Sequence, residues 1–152
     1  MRIIDVLHKN AILMDLKSTD KKSILEELVT PVAQISGINQ EILVRVLLER
    51  EKLGSTGIGD GVGIPHGKLK SLKSLILGLG ISHKGIDFDS IDGRPTHIFF
   101  LLLTPENSTD IHLKLLARIC KMLKNNLLKE RLLNTSDVDI VYSIINDEDE
   151  NF

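Results

Sequence analysis

The sequence predicts an α/β fold, a single layered domain with a mixed, mostly parallel sheet flanked by helices on both faces. Three observations carry this. The chain has 152 residues, 42% of them hydrophobic and 26% charged, an ordinary composition for one domain with one good core. Two runs, Leu75–Ser82 and His97–Thr104, are apolar nearly throughout, as strands covered on both faces are. Segments with helical spacing of apolar residues alternate with strand-like runs, the order that layers helices on a sheet.

The elements follow in order. Ile12–Leu16 is a short apolar run that reads as a first strand. Ser18, Thr19 and Asp20 then offer caps for a helix over about 20–34, with Ile24, Leu25, Leu28, Val29 and Val32 on one face. Pro31 is expected to kink or end it. After a turn at Gly37 and Asn39, a second helix carries Ile42, Leu43, Val46 and Leu47 and ends near Glu51 and Lys52. The segment 54–67, GSTGIGDGVGIPHG, holds six of the eleven glycines. Its glycine content excludes a helix, and the alternation of Ile58, Val62 and Ile64 predicts a loop that becomes a short strand and stops at Pro65 and His66. Two more strands over 75–82 and 97–104 flank a turn-rich stretch, 87–95. A helix over about 109–124, apolar almost all round and so expected to be buried, and shorter helices over 127–133 and 138–145 complete the domain, 1–146. Residues 147–152 are expected to be a frayed acidic tail.

Several functional classes are disfavoured. There are 19 basic and 21 acidic residues, a net charge of −2, so no cationic surplus exists to bind nucleic acid or an anionic membrane surface. No apolar run approaches the roughly 20 residues of a membrane-spanning helix, and the first residues lack the pattern of a signal peptide. A single cysteine, Cys120, cannot form an internal disulfide. A soluble, cytoplasmic protein is expected.

The glycine segment fits no nucleotide-binding motif. Gly67 and Lys68 mimic the end of a P-loop, but Val62 stands where its first glycine belongs and Leu69 replaces the magnesium-binding hydroxyl. The dinucleotide spacing fails as well, since the pairs Gly57/Gly59, Gly59/Gly61 and Gly61/Gly63 lead to Val62, Ile64 and His66. His66 follows a proline that fixes φ and precedes a glycine that lets a bulky group approach. An imidazole that is largely neutral near pH 7 has one nucleophilic nitrogen, and backbone N–H groups around it bind anions without formal charge. Such a residue suits the acceptance of a phosphoryl group; the alternative is a turn histidine with no chemistry. His112 falls in the first turn of a helix, where the free N–H groups favour phosphate and disfavour imidazolium. A neutral His112 can donate a hydrogen bond to a phosphoryl oxygen, or serve only as a structural residue.

Residues 50–69, REKLGSTGIGDGVGIPHGKL, resemble the active-site signature of the fructose/mannitol-type IIA proteins of the bacterial phosphoenolpyruvate-dependent phosphotransferase system, and within it the nitrogen-regulatory branch. The resemblance extends over about residues 3–146. It implies that His66 is phosphorylated on Nε2 by the phosphohistidine of an HPr-like carrier, itself charged from phosphoenolpyruvate by Enzyme I. It implies that His112 is the second, unphosphorylated active-site histidine and that Arg50 faces the site and holds phosphoryl oxygens. For Glu51, Ser55, Thr56 and Gly67 it implies supporting roles, ordering the loop and contacting phosphate. Lys114 stands where nitrogen-branch relatives often have a further histidine. No metal or nucleotide cofactor is implied, because transfer runs between two imidazoles. A docking patch for the carrier is expected around the site, formed partly by the glycine loop. The acceptor is a regulated target protein or, in a sugar-transport reading, a cysteine on a separate IIB protein. A third reading is a binding module that carries no phosphate.

The remaining candidates read as structural. His8, His83 and His97 lack metal-ligand spacing, Cys120 belongs to an apolar helix face, and Asp87, Asp89 and Asp92 are turn formers.

Overall fold

A computed structural model describes residues 1–150. Its elements are α1 (Ile3–Val6), β1 (Leu7–Leu13), α2 (Lys21–Ser36), α3 (Gln40–Lys52), β2 (Gly57–Gly59), β3 (Val62–Gly63), β4 (His66–Leu69), β5 (Ile76–Ile86), β6 (Thr96–Pro105), α4 (Thr109–Met122), α5 (Asn126–Leu133) and α6 (Val138–Asp149). They form one six-stranded sheet in the order β1-β5-β6-β3-β2, with β4 also paired to β6. The ladders β1·β5, β3·β6 and β4·β6 are parallel, whereas β5·β6 and β2·β3 are antiparallel.

Strand alternation divides the core in two. Ile98, Phe100 and Leu102 of β6 face a cluster that contains Leu115 and Ile119 of α4 and Val141 and Ile145 of α6. Phe99, Leu101 and Leu103 face the other way, onto Leu25 and Leu28 of α2 and Leu43 and Leu47 of α3. Both faces of the runs 76–81 and 98–103 are therefore covered, which is why those stretches carry no polar side chain. Gly80 in β5 lets α2 lie close, since a Cβ there would sit 2.6 Å from Leu28 Cδ2 and 2.7 Å from Leu16 Cδ1.

Several boundaries differ from the sequence reading. The first strand is Leu7–Leu13 rather than Ile12–Leu16; its His8, Lys9 and Asn10 are exposed at the sheet edge, so no apolar run announces it. Leu16 still follows the sheet, donating to the Ile81 carbonyl at 2.8 Å. The single turn α1 was not expected. Pro31 does not end α2, which runs to Ser36 and closes on Gly37 at φ +73°; burial of Val29 and Val32 on either side of the proline outweighs the one lost backbone bond. The glycine segment forms three short strands, and His66 opens β4 instead of ending a strand. Helix α4 buries only one face, leaving Leu113 exposed.

The acidic C-terminus is not a frayed tail as far as Asp149. That residue ends α6, is 1% exposed, and accepts from Arg118 Nε at 2.6 Å and from the Ile4 N–H at 3.1 Å. Two partners compensate the buried charge and convert an acidic run into the clasp joining α6, α4 and α1. Residues 151–152 of the expected tail lie outside the described residues.

Candidate active site

Three elements bring the central side chains together. His66 opens β4, paired with Leu102 of β6. Arg50 comes from the last turn of α3 on one face of the sheet, and His112 from the first turns of α4 on the other. Gly67 makes the approach of α3 possible: a Cβ there would lie 2.7 Å from Val46 Cγ1, one helical turn before Arg50.

The His66 ring is fixed at both nitrogens. Nδ1 lies 2.7 Å from the Ile64 carbonyl oxygen. A carbonyl only accepts, so Nδ1 carries the proton and Nε2 the lone pair. Arg50 Nε donates to that Nε2 at 3.3 Å, while Arg50 Nη1 donates to the Gly54 carbonyl at 2.8 Å. Burial and the positive charges of Arg50 and Lys68 lower the His66 pKa against the opposing Ile64 bond and Glu51 charge. The ring is therefore neutral at pH 7, with Nε2 available as a nucleophile.

The His112 ring meets that of His66 edge to face, with centroids 5.3 Å apart. Its Nδ1 lies 2.7 Å from the hydroxyl of buried Thr104. Burial first, then the charges of His66 and Lys68, push its pKa down to about 4. It too is neutral at pH 7.

Lys68, two residues beyond His66 on the same side of β4, donates from Nζ to Thr109 Oγ1 at 3.0 Å, at the N-terminus of α4. Among the described residues neither Arg50 nor Lys68 has a carboxylate within 4.0 Å. Both border a cavity of about 440 Å³ with His66, His112 and Glu49. Two cations and two neutral imidazoles thus border one open space, against the single carboxylate of Glu49, a field suited to a phosphoryl dianion. A larger groove of about 820 Å³ along α2 and α3 has Lys22, Glu26, Arg45 and Glu49 on its walls, with no such convergence of one sign.

The other expected site residues stand behind this cleft. The Glu51 carboxylate accepts from the Thr56 N–H at 3.1 Å, from the Thr56 hydroxyl, and from Lys21 Nζ at 2.8 Å. Ser55 Oγ donates to the Phe88 carbonyl at 2.7 Å and accepts from the Gly57 N–H at 2.9 Å. These groups order the glycine loop, and their hydroxyls are already engaged away from the cavity. The glycine loop also contributes little to the rim. Exposed apolar side chains there come from Leu53, at the end of α3, and Leu113 of α4. Sequence reasoning missed Lys68, Lys21, Thr104 and the Ile64 carbonyl. Only Lys68 carried a signal, its two-residue spacing from His66 along a strand.

Most of the residues read as structural have structural partners, and His8 is exposed on the edge strand β1. His97 Nδ1 donates to the Ser82 carbonyl at 2.9 Å, and a ring nitrogen of His83 meets the Met14 carbonyl at 3.1 Å. Asp92 accepts from the N–H groups of Asp60 and Arg94. Burial raises the pKa of the half-buried Cys120 thiol. Among the described residues no helix is long and apolar enough to cross a membrane.

Comparison with known proteins places this geometry. The family model described as "Phosphoenolpyruvate-dependent sugar phosphotransferase system, EIIA 2" matches residues 5–148. A nitrogen regulatory protein of Bradyrhizobium diazoefficiens is 41% identical over 145 residues, covering 95% of both chains. A fructose-specific EIIABC component of Bacillus subtilis is 32% identical over 150 residues, 98% of this chain and 24% of that one. The crystal structure of the nitrogen regulatory protein IIA-Ntr from Neisseria meningitidis superposes with a TM-score of 0.89 at 32% identity, covering 94% of this chain and 98% of that one. The chain belongs to the EIIA type 2 family of the phosphoenolpyruvate-dependent phosphotransferase system, with nitrogen regulatory IIA proteins among its close relatives.

Proposed function

We propose that the phosphocarrier function of this family is exercised here through Nε2 of His66, charged by the phosphohistidine of an HPr-like protein, in a protein of the nitrogen-regulatory type. The observation that carries the proposal is the Nδ1 bond to Ile64, which leaves the Nε2 lone pair directed toward Arg50 and the open cleft. That lone pair attacks phosphorus, the P–N bond to the donor breaks, and its electron pair returns to the donor imidazole. The Nδ1 proton stays on His66, and the Ile64 carbonyl stabilises the charge the ring acquires. Arg50 releases Nε2 and, with Lys68, holds the equatorial oxygens. His112, neutral, donates to one of them. Exposed Leu53 and Leu113 form the apolar surface against which the donor docks.

The test is intact-mass spectrometry at neutral to alkaline pH after incubation with phosphoenolpyruvate, Enzyme I and an HPr-like protein. One acid-labile phosphate adduct, absent from His66→Ala, is the expected result. An adduct that persists in the variant overturns the assignment to His66, and no adduct with several carriers overturns the carrier role. The similarity to an EIIABC component supports a second reading, transfer to a cysteine of a IIB protein. Chase of the adduct onto an isolated IIB domain decides between that and a regulatory endpoint.

A further inference from the structure

We infer that Thr104 is a positioning residue that sets the tautomer of His112, so that this ring faces the cleft as a hydrogen-bond donor. The inference rests on the phosphocarrier reading for its purpose and on hydrogen-bond bookkeeping for its content. The Thr104 side chain is fully buried at the end of β6, and its hydroxyl has one partner among the described residues, His112 Nδ1 at 2.7 Å. Suppose Nδ1 carried the proton. It would donate to Thr104 Oγ1, and the hydroxyl proton would be buried with no acceptor, an arrangement folded proteins avoid. With the hydroxyl donating to Nδ1, both groups are satisfied and the imidazole proton moves to Nε2.

His112 Nε2 has no partner among the described residues, yet the only fully buried, unpartnered side-chain atom there is Thr96 Oγ1. Nε2 therefore reaches open space, and the ring borders the cavity beside His66. The two histidines are held in opposite tautomers: the Ile64 carbonyl puts the His66 proton on Nδ1, and Thr104 puts the His112 proton on Nε2. One ring presents a lone pair to phosphorus, and the other presents an N–H to a phosphoryl oxygen. The reverse tautomer of His112 would aim a lone pair at that oxygen and repel it. Because burial keeps His112 neutral at pH 7, protonation cannot supply the missing donor.

Long-range proton–nitrogen correlation spectra of the ¹⁵N-labelled full chain at pH 7.5 test this without any phosphate donor. Wild type should show His112 protonated at Nε2 alone and His66 at Nδ1 alone. Thr104→Val, which keeps the volume and removes the hydroxyl, should shift His112 toward Nδ1–H or a mixture, and Thr104→Ser should retain Nε2–H. Phosphoryl transfer to His66 should fall on the order of ten- to a hundredfold in Thr104→Val, as on loss of other ring-orienting partners, and recover in Thr104→Ser. A wild-type His112 protonated on Nδ1 overturns the inference, whether or not the valine variant folds. So does an unchanged tautomer in Thr104→Val. The expected tautomers in a protein that takes no phosphate would leave the Thr104 assignment standing and remove the phosphocarrier reading instead.

Discussion

The Gly67 contact makes the geometry of the cleft testable. In Gly67→Ala the new Cβ would meet Val46 Cγ1 at 2.7 Å, against an ordinary carbon–carbon separation of about 3.5–4.0 Å. Relief requires about 1 Å of movement. A valine in a helix has one strongly preferred rotamer, so the side chain cannot simply turn away. The helix must move instead, or the strand must, at the ~1–3 kcal/mol typical of an overpacked core. Arg50 lies one turn beyond Val46 on α3, so the displacement also lengthens the 3.3 Å contact between Arg50 Nε and His66 Nε2. Misplacement of this size costs transfer about a hundredfold. Urea unfolding and single-turnover phosphorylation, followed by intact mass, measure the two effects. The decisive comparison is Val46→Ala with Gly67→Ala. Removing Cγ1 vacates the space, so the double variant should be more stable than the sum of the single costs and should regain transfer. Additive losses, or a Gly67→Ala protein as stable and active as wild type, refute the argument that α3 needs a glycine at this place.

Four further outcomes are expected. Arg50→Lys supplies one ammonium where a guanidinium bonds both His66 Nε2 and the Gly54 carbonyl, and single-turnover transfer should drop about thirty- to a hundred-and-fiftyfold, in line with the ~2–3 kcal/mol of a charged donor. Because the pKa of His66 lies below its ordinary value, the neutral nucleophile persists as pH falls through 6.5, and single-turnover transfer should decline only below that pH. His112, with a folded pKa of about 4 against 6.5 unfolded, makes the unfolded chain bind more protons between those values; wild type should lose up to about 3 kcal/mol more stability than His112→Gln between pH 7 and 4, read by urea midpoints. Asp149→Ala removes one partner of a buried ion pair and the acceptor of the Ile4 N–H, and should cost about 3 kcal/mol in the same assay; a cost below about 0.5 kcal/mol would mark the C-terminus as the solvated end its sequence suggests.

What the sequence revealed depended on whether the cause was local. The central runs of β5 and β6 were legible because burial on both faces leaves no polar position to confuse the pattern. Helices α2 to α6 were legible from apolar spacing, and the segment around His66 from its glycines and its resemblance to known signatures. Strand β1 escaped because an edge strand exposes Lys9 and Asn10 and needs no apolar run. Asp149 escaped because its partners lie 31 and 145 residues away in sequence, at Arg118 and Ile4. Nothing in the composition of an acidic terminus shows that a cation waits for it. Thr104 is only eight residues from His112, but a strand end and a helix start intervene, so no periodicity joins them. For Ser55, Thr56 and Glu51 the sequence suggested both loop ordering and phosphate contact, and only the folded chain shows these side chains bonded to Phe88, Gly57 and Lys21.

The cleft is built from both sides of the sheet, and this bears on how a phosphate there could be read by another protein. Arg50 belongs to a helix anchored in one core and His112 to a helix anchored in the other, while His66 sits on the strand between them. Each helix is fixed by its own buried residues, so the helices need not move for a phosphate, although the Arg50 side chain must leave His66 Nε2 to reach it. Without an anion the site holds two cations that have no carboxylate within 4.0 Å, one of them at the positive end of α4, an arrangement that costs electrostatic energy. A phosphoryl dianion on His66, as proposed above, would lower that cost and remove the positive charge of the hollow, inside a rim where Leu53 and Leu113 are exposed. The apolar rim is common to both states and the charge at its centre is not. A partner can therefore distinguish them by the sign of the group it presents to the centre of an otherwise unchanged surface, with no movement of either helix.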